Sequence, residues 1–298
     1  MSCPRCIQGF ILPGEPTGTI QPDFHYAYLA PAPNGEPSKR AVLLFTDVFG
    51  LLLQNPKIMA DTMAKELGCD VWVPDYFRGR PPMSLTSMTP DRAGVKMTLW
   101  DWVKFAGIAF RNLPALIASR PAVVDKRLAS VNSFFALLKE KKIYEKIGAV
   151  GYCFGGATAA RMGSNNYLNS IVIAHPAPIS DSVLKSISIP TAWACAEDDM
   201  FFPEMKRNKA EAVFAARKDT DTFVDYEFKV YKGVQLLALV VLRLSQMVII
   251  GTAHGFASRP NLELPEIKAA HEQALEQTIA WFQKTLILSE PVQEITEG

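Results

Sequence analysis

Short continuous apolar runs alternate with helix-spaced stretches along this chain, and no other feature restricts the fold as much. The runs are residues 24–29, 41–46, 69–73, 147–152, 170–174, 191–196 and 222–231. Most are rich in β-branched or aromatic residues and have no polar side, the pattern of strands buried on both faces. Helical stretches lie between them, at 58–67, 123–142, 156–162 and 204–216. A strand, a helix and a further strand in succession imply parallel neighbours, because only a long crossover returns the chain to the same end of a sheet. The expected fold class is therefore α/β, a mostly parallel central sheet with helices on both faces. A final helix puts Ile267, His271, Ala274, Leu275, Thr278, Ile279, Phe282 and Leu286 on one side, and His271 reads there as a satisfied core histidine. Residues 83–120 are less regular, with Met83, Met88, Trp100 and Trp102. They read either as a cap over a pocket or as helices covering one edge of the sheet.

The length of 298 residues suits one α/β domain, expected over 1–288, with a frayed polar tail at 289–298. A net charge of +1 gives no electrostatic case for nucleic acid or an anionic membrane as partner. The N-terminal stretch lacks the apolar segment of a secretory signal. The five cysteines, Cys3, Cys6, Cys69, Cys153 and Cys195, are an odd set. They read as reduced thiols, so a cytoplasmic location is expected. Cys3 and Cys6 have metal-ligand spacing, but no second pair follows at a suitable distance, so no metal is expected.

The chemistry concentrates at Gly151-Tyr152-Cys153-Phe154-Gly155, between an apolar run and a helical stretch. This fits G-x-nucleophile-x-G with cysteine in the usual place of serine. Residues two before and two after the nucleophile must lack side chains for strand and helix to pass closely. The turn also aims the sulfur at a helix N-terminus, where free amides and the dipole favour a thiolate. The bland alternative is a small buried cysteine beside a helix start.

A nucleophile on such a turn is followed in chain order by an acid and then a histidine. Of the four histidines, His25 and His175 come too early and His271 lies on the apolar side of the last helix. His254 alone satisfies the order. The acid is expected after the run that ends at Ala196, where Asp198 and Asp199 precede Pro203. Asp199 is the choice and Asp198 the alternative. Either one also suits helix capping ahead of the proline.

Taken together these residues resemble the dienelactone hydrolase family, closest to its fungal-type members. The resemblance covers nearly the whole chain. It rests on Thr17-Gly18, Asp47-Val48-Phe49-Gly50, Val73-Pro74-Asp75-Tyr76, the Cys153 turn, Asp199 with Pro203, and His254-Gly255-Phe256. It implies an α/β-hydrolase fold, no cofactor, and ring opening of a carboxylate-bearing lactone by a Cys153–His254–Asp199 triad. It further implies an oxyanion hole from the Val48 and Phe154 amides and an accessory acid at Asp47, where the family's usual residue is the longer Glu. Arg78, Arg80 and Arg259 become candidates for binding the substrate carboxylate. The expected partner is a small lactone or ester, acted on by a monomer or homodimer. A carboxylesterase or thioesterase on the same triad, or a redox-sensing or binding protein that kept only the fold, remain alternatives.

One stretch departs from the family pattern. Residues 234–251, VQLLALVVLRLSQMVIIG, carry a single charge, Arg243. Deleting them joins Val230-Tyr231-Lys232-Gly233 to Thr252-Ala253-His254-Gly255-Phe256, which restores the pattern. The codon for Val234 must begin with GT, the usual first bases of an intron. The leading reading is therefore a translated intron or a gene-model error, with an extra hairpin or a membrane segment near the lower length limit as alternatives.

Overall fold

The computed structural model describes residues 10–33, 35, 37–83, 99–232 and 251–288. Cys3, Cys6, the tail at 289–298 and all but the last residue of the 234–251 insert lie outside them. The strands are β1 (Thr19–Gln21), β2 (Ala27–Ala30), β3 (Arg40–Phe45), β4 (Asp70–Val73), β5 (Lys146–Tyr152), β6 (Ser170–Ala174), β7 (Thr191–Ala196) and β8 (Tyr226–Tyr231). They form one 8-stranded sheet in the order β1-β2-β4-β3-β5-β6-β7-β8. The ladders from β4 to β8 are all parallel, and β1 and β2 add an antiparallel edge. The helices are α1 (Asn55–Leu67), α2 (Leu99–Arg111), α3 (Leu113–Ala118), α4 (Pro121–Ala129), α5 (Phe134–Lys141), α6 (Phe154–Met162), α7 (Asp181–Ser186), α8 (Glu204–Ala215) and α9 (Pro265–Phe282).

The apolar runs lack a polar side because both faces of the central strands are covered. On β3, Val42 and Leu44 face one core while Ala41, Leu43 and Phe45 face the other. β6 and β7 divide in the same way, with Val172 and Ala194 on the first side and Ile173 and Trp193 on the second. α1 and α9 cover the first face through Met59, Met63, Ala270, Ala274 and Phe282. α4, α5, α6 and α8 cover the second through Leu128, Phe134, Ala159 and Phe214. Each large side chain buried in this way contributes about 1.5–3 kcal/mol. Trp193 is held between Phe228, stacked at 4.9 Å, and Phe202, stacked at 5.6 Å.

Several sequence expectations need correction. The stretch at 123–142 is two helices, because Asn132 adopts a left-handed φ of 61° and Ser133 caps α5 by accepting from the Ala136 amide. The run at 222–231 is strand only from Tyr226, after a turn in which the Phe223 amide donates to the Thr220 carbonyl. The run at 24–29 begins as a 3₁₀ turn over Pro22–Phe24 and becomes strand at Ala27. Within 83–120 the described part is helical, and α2 leaves Leu99, Trp100, Val103 and Phe110 exposed. Among the described residues no helix is long and apolar enough to cross a membrane.

The chain starts its parallel strands at β3, moves outward to β4, then returns to β5 and continues the other way. The direction of winding therefore reverses between β3 and β5. Loops leaving the carboxyl ends of those two strands diverge and open a crevice, the usual ligand position in such sheets.

Candidate active site

Cys153 follows β5 directly and precedes the first residue of α6, with φ 55° and ψ −112°. A non-glycine residue held there costs about 1–3 kcal/mol, which the surrounding packing must offset. The flanking glycines show why. A β-carbon on Gly151 would stand 2.0 Å from the Gly155 carbonyl oxygen, and one on Gly155 would stand 2.1 Å from the Phe45 oxygen. Strand β5, helix α6 and the end of β3 therefore meet backbone to backbone, and the Cys153 turn is pinned. Cys153 is 8% exposed, its amide donates to Ala174, and its carbonyl accepts from Ala157 and Ala177.

His254 lies against the sulfur. Its Nε2 is 2.9 Å from Cys153 Sγ, and its Nδ1 is 2.9 Å and 3.0 Å from the two carboxylate oxygens of Asp199. Asp199 is buried, and its Oδ1 also accepts the amides of Phe201 and Phe202. Asp198 is exposed and serves through its backbone, where its amide donates to Thr252 and it bridges to Ala253. That bridge extends the end of β7 and sets His254 beside Asp199. Further support comes from the Thr252 hydroxyl, which donates to the Tyr231 carbonyl at the end of β8 and accepts the Glu197 amide.

Burial acts to strip the proton from His254, but the Cys153 sulfur and the Asp199 carboxylate outweigh it and raise its pKa. For Asp199, burial pushes the other way from the hydrogen bond with His254, and the bond wins, holding the carboxyl below its usual range. Both neighbours therefore favour the protonated form of the imidazole.

Val48 lies in the loop that follows β3, and Phe154 is the first residue of α6. Neither amide has a backbone partner among the described residues, as expected for Phe154 at a helix start. Asp47 is fully enclosed: one oxygen accepts the Phe49 amide at 3.0 Å, and the other faces Arg259 Nε at 2.9 Å and the Ser258 hydroxyl at 3.3 Å. The Arg259 guanidinium also lies 4.4 Å from the Phe49 ring centroid. Arg259 thus joins Asp47 on the loop that follows His254, whereas Arg78 and Arg80 are exposed and no described contact links either side chain to the cluster. His25 is exposed with Nε2 on the Asn132 carbonyl, and His271 is buried with Nδ1 on the Ala257 carbonyl at 2.9 Å.

Sequence reasoning overlooked two neighbours. Phe201 sets its ring 4.8 Å from that of His254, and His175, rejected because it precedes the acid, lies 5.1 Å away. The signal was available: β6 runs between β5 and β7, so the residue that ends β6 must lie between the nucleophile and the acid.

The sequence pattern of the dienelactone hydrolase family matches residues 26–235 of this chain. The chain belongs to the dienelactone hydrolase family. The match takes in Cys153 and Asp199 and stops just inside the apolar insert, short of His254. Among the relatives of this family member, hydrolase pyvD of Aspergillus violaceofuscus is 27% identical, over 94% of this chain and 96% of that protein. Hydrolase tropI of Talaromyces stipitatus is 29% identical, over 93% and 94%. The carboxymethylenebutenolidase homolog of Mus musculus is 26% identical, over 82% of each. Of solved structures, m3DLH superposes with a TM-score of 0.53 at 14% identity, over 87% of this chain and 92% of its own. The dienelactone hydrolase-like promiscuous phosphotriesterase P91 does so with 0.51 at 16%, over the same shares. These last two likenesses concern the fold.

Proposed function

We propose that this family member is a carboxylic ester hydrolase that opens a carboxylate-bearing enol-lactone through Cys153, His254 and Asp199. The observation that carries the reading is the unbroken line of contacts from Sγ through the imidazole to the carboxylate, each step 2.9–3.0 Å. His254 Nε2 takes the Sγ proton, and the sulfur's electron pair forms a bond to the lactone carbonyl carbon. The carbonyl π pair moves to oxygen, where the Val48 and Phe154 amides receive the negative charge. As that charge returns, the ring C–O bond breaks. The departing enolate takes the proton from His254 and rearranges to a ketone, leaving an acyl-thioester on Cys153. Water then gives its proton to His254 and its hydroxyl to the acyl carbon, and the thiolate leaves.

An enolate is a good leaving group, so a thiol nucleophile suits this substrate and does not suit an amide. Asp199 fixes the tautomer of His254 and stabilises its charged form. Arg259 is the proposed partner of the substrate carboxylate, through the guanidinium edge that Asp47 does not occupy. Asp47 holds that guanidinium in place. Because Arg259 already faces one carboxylate, a neutral ester is the second reading, favoured if the Asp47 pair persists with substrate bound.

The test is ring opening of cis- and trans-dienelactone by purified protein beside its Cys153→Ala variant. Turnover that falls at least 10³-fold in the variant is expected from the loss of a triad nucleophile. Equal turnover in the two overturns the proposal. Cys153-dependent cleavage of p-nitrophenyl acetate without lactone opening selects the second reading.

A further inference from the structure

His175 is a buried titratable residue that the hydrolytic steps leave unused. It follows β6 directly, is 0% exposed, and adopts a left-handed φ of 33°. Among the described residues, neither ring nitrogen has a hydrogen-bond partner. Its ring meets that of His254 edge-to-face, with centroids 5.1 Å apart and planes at 74°, and it also touches Tyr152 and Phe256. Enclosed polar nitrogens without partners are costly, and a phenyl ring would fill this place without that cost. The cost specific to histidine lies in its unpartnered ring, since the left-handed backbone would strain a phenylalanine as well.

Burial first, and then the neighbouring His254, holds the His175 pKa well below the ordinary value, so its ring is neutral. A neutral imidazole has one N–H and one lone pair. In most buried histidines a partner fixes which nitrogen carries the proton. Here no side chain among the described residues does so, and the proton can sit on whichever nitrogen lies farther from a neighbouring positive charge. The ring is a dipole able to turn its negative end toward an imidazolium. Among the described residues, the other titratable or charged groups that face the His254–His175 pair include Cys153 from the start of α6, Tyr152 from the end of β5, Asp199 from the loop after β7, and Arg259 ahead of α9, itself paired with Asp47. The negative members touch His254 at its two nitrogens. His175 meets a different part of the ring.

We infer that His175 is a positioning residue whose neutral imidazole stabilises charged His254 and thereby favours transfer of the Cys153 proton to it. The inference rests on the triad reading above. It explains why a strained, unpaired histidine occupies a site where an aromatic hydrocarbon would pack at lower cost.

The experiment follows iodoacetamide alkylation of Cys153 in the full chain against pH, reading the mass of the Cys153 peptide, together with the pH profile of hydrolysis. In His175→Phe the alkylation midpoint is expected to rise by about one pH unit, which is about tenfold less thiolate below the midpoint. kcat should fall in parallel with little change in KM. His175→Gln keeps an acceptor and is expected to lie near the native midpoint, whereas His175→Leu should behave as the Phe variant. Folded Phe, Gln and Leu variants with the native midpoint overturn the inference and make His175 a packing residue. If His175→Phe does not fold, equal midpoints in the Gln and Leu variants have the same meaning. A native Cys153 with an ordinary thiol midpoint that His254→Ala leaves unchanged would instead sink the triad reading itself.

Discussion

Four histidines in one chain hold four different places, and burial together with partners decides what each one does. His25 is exposed, with Nε2 on the Asn132 carbonyl. His254 gains protons on folding because the Cys153 sulfur and the Asp199 carboxylate outweigh its burial. His271 loses them, since burial outweighs the Ala257 carbonyl, and its pKa falls below the ordinary value. That last shift has a thermodynamic consequence. Below about pH 6.5 the unfolded chain protonates His271 while the folded chain does not, so stability falls as pH falls. The slope for one such group reaches about 1.4 kcal/mol per pH unit. His271→Gln keeps a donor for the Ala257 carbonyl and removes the titration. Its Tm is therefore expected to drop less than that of the native protein between pH 7 and pH 5. Parallel Tm curves would mean that His271 is protonated in the folded state.

At the level of elements, the nucleophile turn is the most constrained piece of the molecule. Both glycines are required by backbone atoms rather than by flexible side chains, so no neighbour can rotate away. Gly155→Ala pushes a methyl group against the carbonyls of Phe45 and Thr46 at the end of β3. The expected result is a loss of about 3 kcal/mol or more, since overpacking that cannot relax lies at the high end of its range. It should appear as a fall in the urea midpoint with no compensating change in m-value. An unchanged midpoint would show that α6 can shift away from β3. Glycine at these positions was legible from sequence because the motif itself states the steric need. The break between α4 and α5 was not, because residues 123–142 contain neither proline nor glycine to mark it. The capping Ser133 was the one local sign.

For the molecule as a whole, the apolar insert presents the sharpest question. The chain leaves β8 at Tyr231 and is back beside it at Thr252, whose hydroxyl donates to the Tyr231 carbonyl. Joining Gly233 to Thr252 would make Tyr231-Lys232-Gly233-Thr252 a four-residue turn. Glycine would then stand at the third position, where a type II turn needs positive φ. The variant lacking residues 234–251 is expected to fold, to hold His254 against Cys153, and to match or exceed the full chain in solubility, since a long apolar run of low charge favours association of the unfolded chain. Circular dichroism, sedimentation and lactone turnover of the two forms check this. A deleted form that unfolds would make the insert a structural part of the chain.

Fold class was legible in the sequence, because strands buried on both faces must be apolar throughout and helices must separate parallel strands. The chain order of Cys153, Asp199 and His254 was legible too, since it follows from the order of strands along the chain. What only the tertiary structure decided is which groups touch. Asp199 and Asp198 are adjacent in sequence, yet one carboxylate is enclosed against His254 while the other residue is exposed and pairs through its backbone. Arg259 is drawn to Asp47 across more than two hundred positions of sequence, whereas Arg78 and Arg80 stay at the surface. His175 failed the test of chain order and still lies against His254, because neighbours in the sheet are set by the winding of the strands around the crevice and not by distance along the chain.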